Sequence, residues 1–126
     1  MKPISELLKA HESPAWQITP DASVFEALQK LADKGVGALL VMQSDKLVGV
    51  VSERDYTRKV ALLGKNSKEI KVADIMTRDP FTVTPNTGTR ACMSLMSHKK
   101  FRHLPVVENG KVLGMISIRD IMDDII

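Results

Sequence analysis

Phe101-Arg102-His103-Leu104-Pro105-Val106-Val107-Glu108-Asn109-Gly110-Lys111-Val112-Leu113-Gly114-Met115-Ile116-Ser117-Ile118-Arg119-Asp120 is two short apolar runs around a turn, then a helix start. Residues 104–107 and 112–116 read as a hairpin of buried strands, and the Asn-Gly at its tip supplies positive φ cheaply. Ser117 stands where a helix N-cap is expected.

The same text occurs 65 residues earlier. Ile18-Thr19-Pro20 matches Val83-Thr84-Pro85, and the offset holds without a gap to the C-terminus, with Leu39 on Leu104, Val41 on Val106, Gly49 on Gly114 and Asp55 on Asp120. The first hairpin is therefore 38–42 and 47–51 around Ser44-Asp45, with its closing helix starting at Ser52. Before it, Val24, Ala27, Leu28, Leu31 and Ala32 recur at helical spacing. Asp21 or Ser23 can cap that helix, Ser23 with Glu26 as a capping box, and Gly35 suits its end. A fainter match at offset 68 pairs Ile4-Ser5-Glu6-Leu7-Leu8 with Val72-Ala73-Asp74-Ile75-Met76, so each copy opens with a short amphipathic helix.

Each copy reads strand, helix, strand, strand, helix. A unit of about fifty residues leaves an apolar sheet face uncovered, so the expected fold is α+β, with two β-α-β-β-α motifs packed about a pseudo-two-fold axis. The expected division is 1–64 for the first motif with its helix, 65–71 for a polar linker after Gly64, and 72–126 for the second motif.

Composition narrows the function. The 126 residues are 44% hydrophobic, enough for a core, and no run approaches the roughly 18 apolar residues of a spanning helix. The N-terminus lacks the apolar stretch of a signal peptide. A net charge of +3 spread along the chain, with one Trp, one Tyr and three Phe, does not point to nucleic acid. Cys92 is the only cysteine, which excludes an internal disulfide and fits a reducing cytoplasm. A soluble cytoplasmic protein with no membrane or nucleic-acid partner is expected.

Thr-Pro ahead of the first helix, a Leu-Pro-Val strand, a Gly in the next strand and the closing Ser-x-x-Asp together resemble the CBS motif, and two in tandem resemble a Bateman module. Residues 101–106, 112–114 and 117–120 stand at family spacing, and the resemblance runs from Ile4 to Ile126. The first copy departs by having Leu40 where the second has Pro105, which bears on how that strand opens onto a ligand. The resemblance is to short free-standing bacterial proteins of this type. It implies a regulatory module for AMP, ADP, ATP, NAD or S-adenosylmethionine, a homodimer, no catalytic cofactor, and an output through self-association or an unknown downstream protein.

An adenine nucleotide needs an apolar slot, a carboxylate for the ribose diol, and donors for phosphate. By resemblance Asp55 and Asp120 contact ribose; the plain alternative is an acid that favours a helix dipole. Ser52 and Ser117 at N-caps, Arg54 and Arg58 four residues apart, Arg119, and the basic pair Arg102 and His103 are the phosphate candidates, the last two alternatively being a solvated strand end. Asp123 and Asp124 replace Arg58 and Lys59 in the second copy, so the two sites are expected to differ in phosphate preference. Ile18, Thr19, Val36, Gly37, Ala38, Leu39, Val83, Thr84, Phe101, Leu104 and Pro105 are the candidate adenine pocket, although taken singly most of them read as core.

Catalysis finds little support. Cys92, His11, His98 and His103 are the candidates, Cys92 falls on a buried helix face, and no H-E-x-x-H, P-loop or G-x-S-x-G motif occurs. No metal site is expected, since Met93 and Met96 replace Leu28 and Leu31 at core positions. The rival reading is a ligand-free dimerisation or protein-interaction module.

Overall fold

The computed structural model describes residues 2–9 and 16–125. Its two hairpins are β2 (Ala38–Gln43) with β3 (Lys46–Ser52), and β5 (His103–Glu108) with β6 (Lys111–Ser117). Both turn on two left-handed residues, Ser44 and Asp45 at φ 48° and 65°, Asn109 and Gly110 at φ 52° and 78°, the geometry that matches strand twist. Both also shift register at the same repeat position, between Val41 and Met42 and between Val106 and Val107.

The helices preceding the hairpins are α2 (Val24–Lys34) and α5 (Thr89–Lys99). Ser23 caps α2, its hydroxyl accepting from the Glu26 N–H at 3.1 Å. Gly35 ends α2 in the left-handed region, with its own N–H on the Ala32 carbonyl and that of Val36 on Leu31. The equivalent residue after α5 is Lys100 at φ 59°. A side chain there costs about 1–2 kcal/mol, partly offset because glycine loosens the unfolded chain. Lys100→Gly is therefore expected to raise stability by about 0.5–1 kcal/mol, read from urea unfolding; a loss would show that the Lys100 side chain contributes more than its backbone costs.

The hairpins acquire different neighbours. β1 (Gln17–Ile18) lies parallel to β2, and β4 (Thr77–Arg78) antiparallel to β3, giving the order β1-β2-β3-β4. Among the described residues β5 and β6 form a two-stranded sheet, beside which Val83 makes a single parallel bridge to Val106. Proline explains the shorter pairing beside β5. The Leu40 N–H donates to the Trp16 carbonyl at 3.0 Å, and the equivalent Pro105 has no N–H to give.

Two compact units result. One is Trp16–Pro80; the other joins the N-terminal segment carrying α1 (Ile4–Lys9) to Phe81–Ile126. Their bounds differ from those of the sequence repeats. In the first unit α4 (Val72–Ile75), which opens the second repeat, buries Val72 and Ile75 among Val24, Leu39, Val51 and Val60. In the other, α1 of the first repeat buries Ile4 and Leu7 among Leu104, Val106, Ile116 and Ile121. Each hairpin is thus packed by the opening helix of the other repeat.

Residues 65–71, expected as a linker, are tied to α2. The carbonyls of Ile70 and Ser67 accept from the Val24 and Phe25 N–H groups at 2.8 and 3.1 Å, satisfying donors that a helix start leaves unpaired. Gly64, at φ 67°, closes the preceding helix, with the Lys65 N–H on the Val60 carbonyl at 3.0 Å. Met93, expected in the core, is exposed on α5, whereas Met96 and Cys92 are buried. Its counterpart Leu28 is only half-buried, so this position lies at the edge of the apolar stripe.

Candidate functional site

In each unit the hairpin delivers the chain into a helix. β3 runs into α3 (Glu53–Tyr56), which widens to a π-helical turn over Thr57–Ala61, and β6 runs into α6 (Ile118–Ile125). The start of the first strand is drawn to the same place. The Glu53 N–H donates to the Gly37 carbonyl at 3.1 Å, and the equivalent Ile118 N–H donates to the Arg102 carbonyl at 2.8 Å. Ala38 pairs with Ser52 and His103 with Ser117 across the hairpins.

At that junction Ser-x-x-Asp closes on itself as a capping box. Asp55 Oδ2 accepts from the Ser52 N–H at 2.9 Å and the Ser52 hydroxyl at 3.1 Å, while the Asp55 N–H donates back to Ser52 Oγ at 3.2 Å. Asp120 Oδ2 accepts from the Ser117 N–H at 2.8 Å, and the Asp120 N–H donates to Ser117 Oγ at 3.1 Å. The two carboxylates proposed for ribose are therefore also structural caps, and the Ser117/Asp120 pair repeats the Ser52/Asp55 geometry closely.

The cations divide. Arg54 is half-buried, and Arg58, Arg102 and Arg119 are exposed. The spacing of Arg54 and Arg58, which on a regular helix places them on one face, spans the junction of α-helical and π-helical turns. The cation that reaches Asp55 is instead Lys59, whose ammonium lies 3.3 Å from Oδ1 and donates to the Ile75 carbonyl at 2.7 Å. Helical spacing from Asp55 was the signal for it. His103 is half-buried.

The apolar candidates separate into supports and surfaces. Leu39 and Leu104 are 0% exposed and, with Val83, belong to the cores of their units, so they back the site without presenting a face to it. Ala38 and Pro105 are also buried. Ile18, Val36, Gly37 and Phe101 are half-buried, and Thr19 and Thr84 exposed. Both threonines turn the chain into the helix that follows, the Ala22 N–H donating to the Thr19 carbonyl at 3.2 Å and the Thr87 N–H to the Thr84 carbonyl at 3.0 Å. Phe101 meets Phe81 with ring centroids 5.7 Å apart, and Lys99 lies over Phe81 at 5.4 Å. Lys34 over Trp16, at 4.2 Å, is the equivalent pair in the first repeat. Extending the offset of 65 two residues ahead of Ile18 would have exposed this repeated aromatic position.

Other chemistry finds poor footing. Cys92 is buried in a core, which pushes its thiol up from the usual range and disfavours the nucleophilic thiolate. His98 is exposed, its Nδ1 on the Ser94 carbonyl at 2.8 Å. His11 lies outside the described residues. Among the described residues no group of three or more His, Cys, Asp or Glu is placed to hold a metal, and no helix is long and apolar enough to cross a membrane.

Comparison with known proteins agrees with the duplication. The CBS domain family model matches twice, at residues 5–62 and 72–126. The chain is similar to the mitochondrial CBS domain-containing protein CBSX3 of Arabidopsis thaliana, 37% identical over 94% of the chain, but it spans only 62% of that relative's length. Among solved structures it is similar to a protein with CBS domains from Burkholderia ambifaria, 40% identical with a TM-score of 0.93, over 99% of this chain and 94% of that one. It is also similar to a CBS domain protein of Pyrobaculum aerophilum complexed with AMP, 28% identical with a TM-score of 0.83, over 94% of this chain and 89% of that one.

Proposed function

Because the chain belongs to the CBS domain family, with two such domains in tandem, we propose that it is a regulatory module that binds an adenine nucleotide and carries out no reaction. The observation that carries the reading is the recurrence of one constellation in both units: a carboxylate, Asp55 or Asp120, fixed by a capping serine at the junction of hairpin and closing helix. An AMP complex in a relative of the same fold supports the ligand class.

In this proposal Asp55 or Asp120 receives the ribose hydroxyls. Ser52, Arg54 and Arg58 in one unit, and Ser117, Arg119, Arg102 and His103 in the other, supply phosphate contacts. Val36, Gly37 and Phe101, with the Thr19 and Thr84 turns, border the base, while Leu39 and Leu104 act from behind. AMP, ADP, ATP, NAD and S-adenosylmethionine share the adenosine part that this arrangement addresses. Calorimetric titration with each, and with GMP as control, is expected to give saturable binding of at least one adenine compound and none of GMP; equal binding of GMP would remove adenine recognition from the proposal.

Self-association belongs to the same proposal. α6 leaves Ile118, Met122 and Ile125 exposed at spacings of four and three, one stripe of a helix whose Ile121 is buried. A second copy covering that stripe makes a homodimer, which passes the ligand signal to a downstream protein in the cytoplasm. Met122→Lys is expected to shift the protein to monomer in sedimentation equilibrium, whereas an unchanged mass would move the contact elsewhere.

A further inference from the structure

We propose that Lys59 is a positioning residue that shares its charge between the Asp55 carboxylate and the end of α4, so that a ribose taken up at Asp55 shifts Lys59 onto the helix that opens the second repeat. This rests on the ribose reading given above. The Lys59 ammonium has two acceptors, Asp55 Oδ1 at 3.3 Å and the carbonyl of Ile75, the last residue of α4, at 2.7 Å. A terminal helix carbonyl lacks an intrahelical partner and favours a cation. Asp55 Oδ2 is already held by the Ser52 N–H and hydroxyl, so Oδ1 is the oxygen left for a diol, and it is the one that Lys59 holds.

The Asp55 side chain is 13% exposed and that of Lys59 46%, so solvent reaches the pair mainly from the lysine side. A carboxylate neutralised by an ammonium accepts hydrogen bonds less strongly than a bare one. Diol and ammonium therefore compete for one charge, and the coupling acts equally in both directions: whatever draws Lys59 towards Ile75 frees Asp55 for ligand, and ligand at Asp55 frees Lys59.

The equivalent residue in the other unit shows what this helix position is for. Asp124 accepts from the Lys2 N–H at 2.7 Å, immediately ahead of α1. In each unit, then, the closing helix reaches the opening helix packed there, with a cation at a carbonyl end or a carboxylate at an amide end. The change from Lys59 to Asp124 thus follows the helix end that each meets, which accounts for the charge reversal at this one position without phosphate. Asp124, unlike Lys59, cannot donate to the neighbouring cap carboxylate, so this lysine-borne coupling belongs to the unit Trp16–Pro80.

Adenosine is the probe, because it carries the diol and no phosphate that Lys59 could attract. Its dissociation constant is measured by calorimetry on the full chain carrying Asp120→Ala, which silences the other unit, with Lys59, Lys59→Met, Lys59→Gln and Lys59→Arg. The Met and Gln variants are expected to bind about threefold more tightly, the scale of a half-exposed ion pair, and Arg to restore the original affinity. Gln keeps a donor for Ile75 and carries the test if the Met variant fails to fold. Adenosine binding that stays the same or weakens in both neutral variants overturns the coupling and leaves the ribose reading standing. Absence of any binding that requires Asp55 overturns both.

Discussion

Alanine at Gly49 is expected to lower the unfolding free energy by about 2–3 kcal/mol, while alanine at Gly114, the same position of the other repeat, changes it by less than about 1 kcal/mol. A Cβ on Gly49 would stand 2.7 Å from the Thr77 carbonyl oxygen and 2.7 Å from Met76 Sδ. The first is backbone of β4, paired with β3 through Gly49 and Arg78, so relief requires separating two strands. Among the described residues the Cβ on Gly114 would meet the side-chain atom Leu8 Cδ2 at 2.9 Å, which a rotamer change moves aside. Neither glycine has a positive φ, so alanine also restricts the unfolded chain, a gain of about 0.4–1 kcal/mol that offsets most of the cost at Gly114. Urea unfolding of the two variants measures the difference directly. Equal costs would mean that the glycines serve a common feature of the motif rather than the close approach of β4 to Gly49.

The contrast marks how far the sequence could be read. Hairpins, turns and capped helices were legible because their signals are local: Asn109-Gly110 dictates a turn, and Ser23 with Gly35 brackets a helix whatever surrounds it. The offset of 65 then carried each element to its twin. The address of a short amphipathic helix is not local. Ile4 and Leu7, or Val72 and Ile75, state that one face must be buried but not against which hairpin, and the structure packs each with the other repeat. β4 was invisible for the same reason, since two residues held by pairing with Gly49 have no periodicity to detect. In the candidate site, Ser-x-x-Asp was legible as a motif, but its reciprocal bonds to the backbone were not. Lys59 was passed over as one of several cations, although its spacing from Asp55 was in view.

Saturation with its adenine ligand is expected to stabilise the protein by about 2.7 kcal/mol at a hundred times the dissociation constant, a shift in midpoint on the order of 10 °C for a chain of this size. The capping boxes complicate the obvious controls. Asp55→Ala removes acceptors for the Ser52 N–H and hydroxyl and the partner of Lys59, and Asp120→Ala removes an acceptor for the Ser117 N–H, so each variant is expected to start about 1–2 kcal/mol less stable with no ligand present. The ligand's effect is therefore the increment over each variant's own baseline. A carboxylate serving only as a cap lowers the baseline and leaves the increment intact; one that also holds ribose loses both.

The most direct measurement is thermal unfolding of the full chain and of the Asp55→Ala and Asp120→Ala variants across AMP, ADP, ATP, NAD and S-adenosylmethionine. The account predicts that at least one of these raises the wild-type midpoint in a saturable way, and that the increment disappears with one of the two aspartates, identifying the unit that binds. A midpoint that none of them moves, or an increment that survives in both variants, would contradict adenine-nucleotide binding at these sites and leave a ligand-free interaction module in its place.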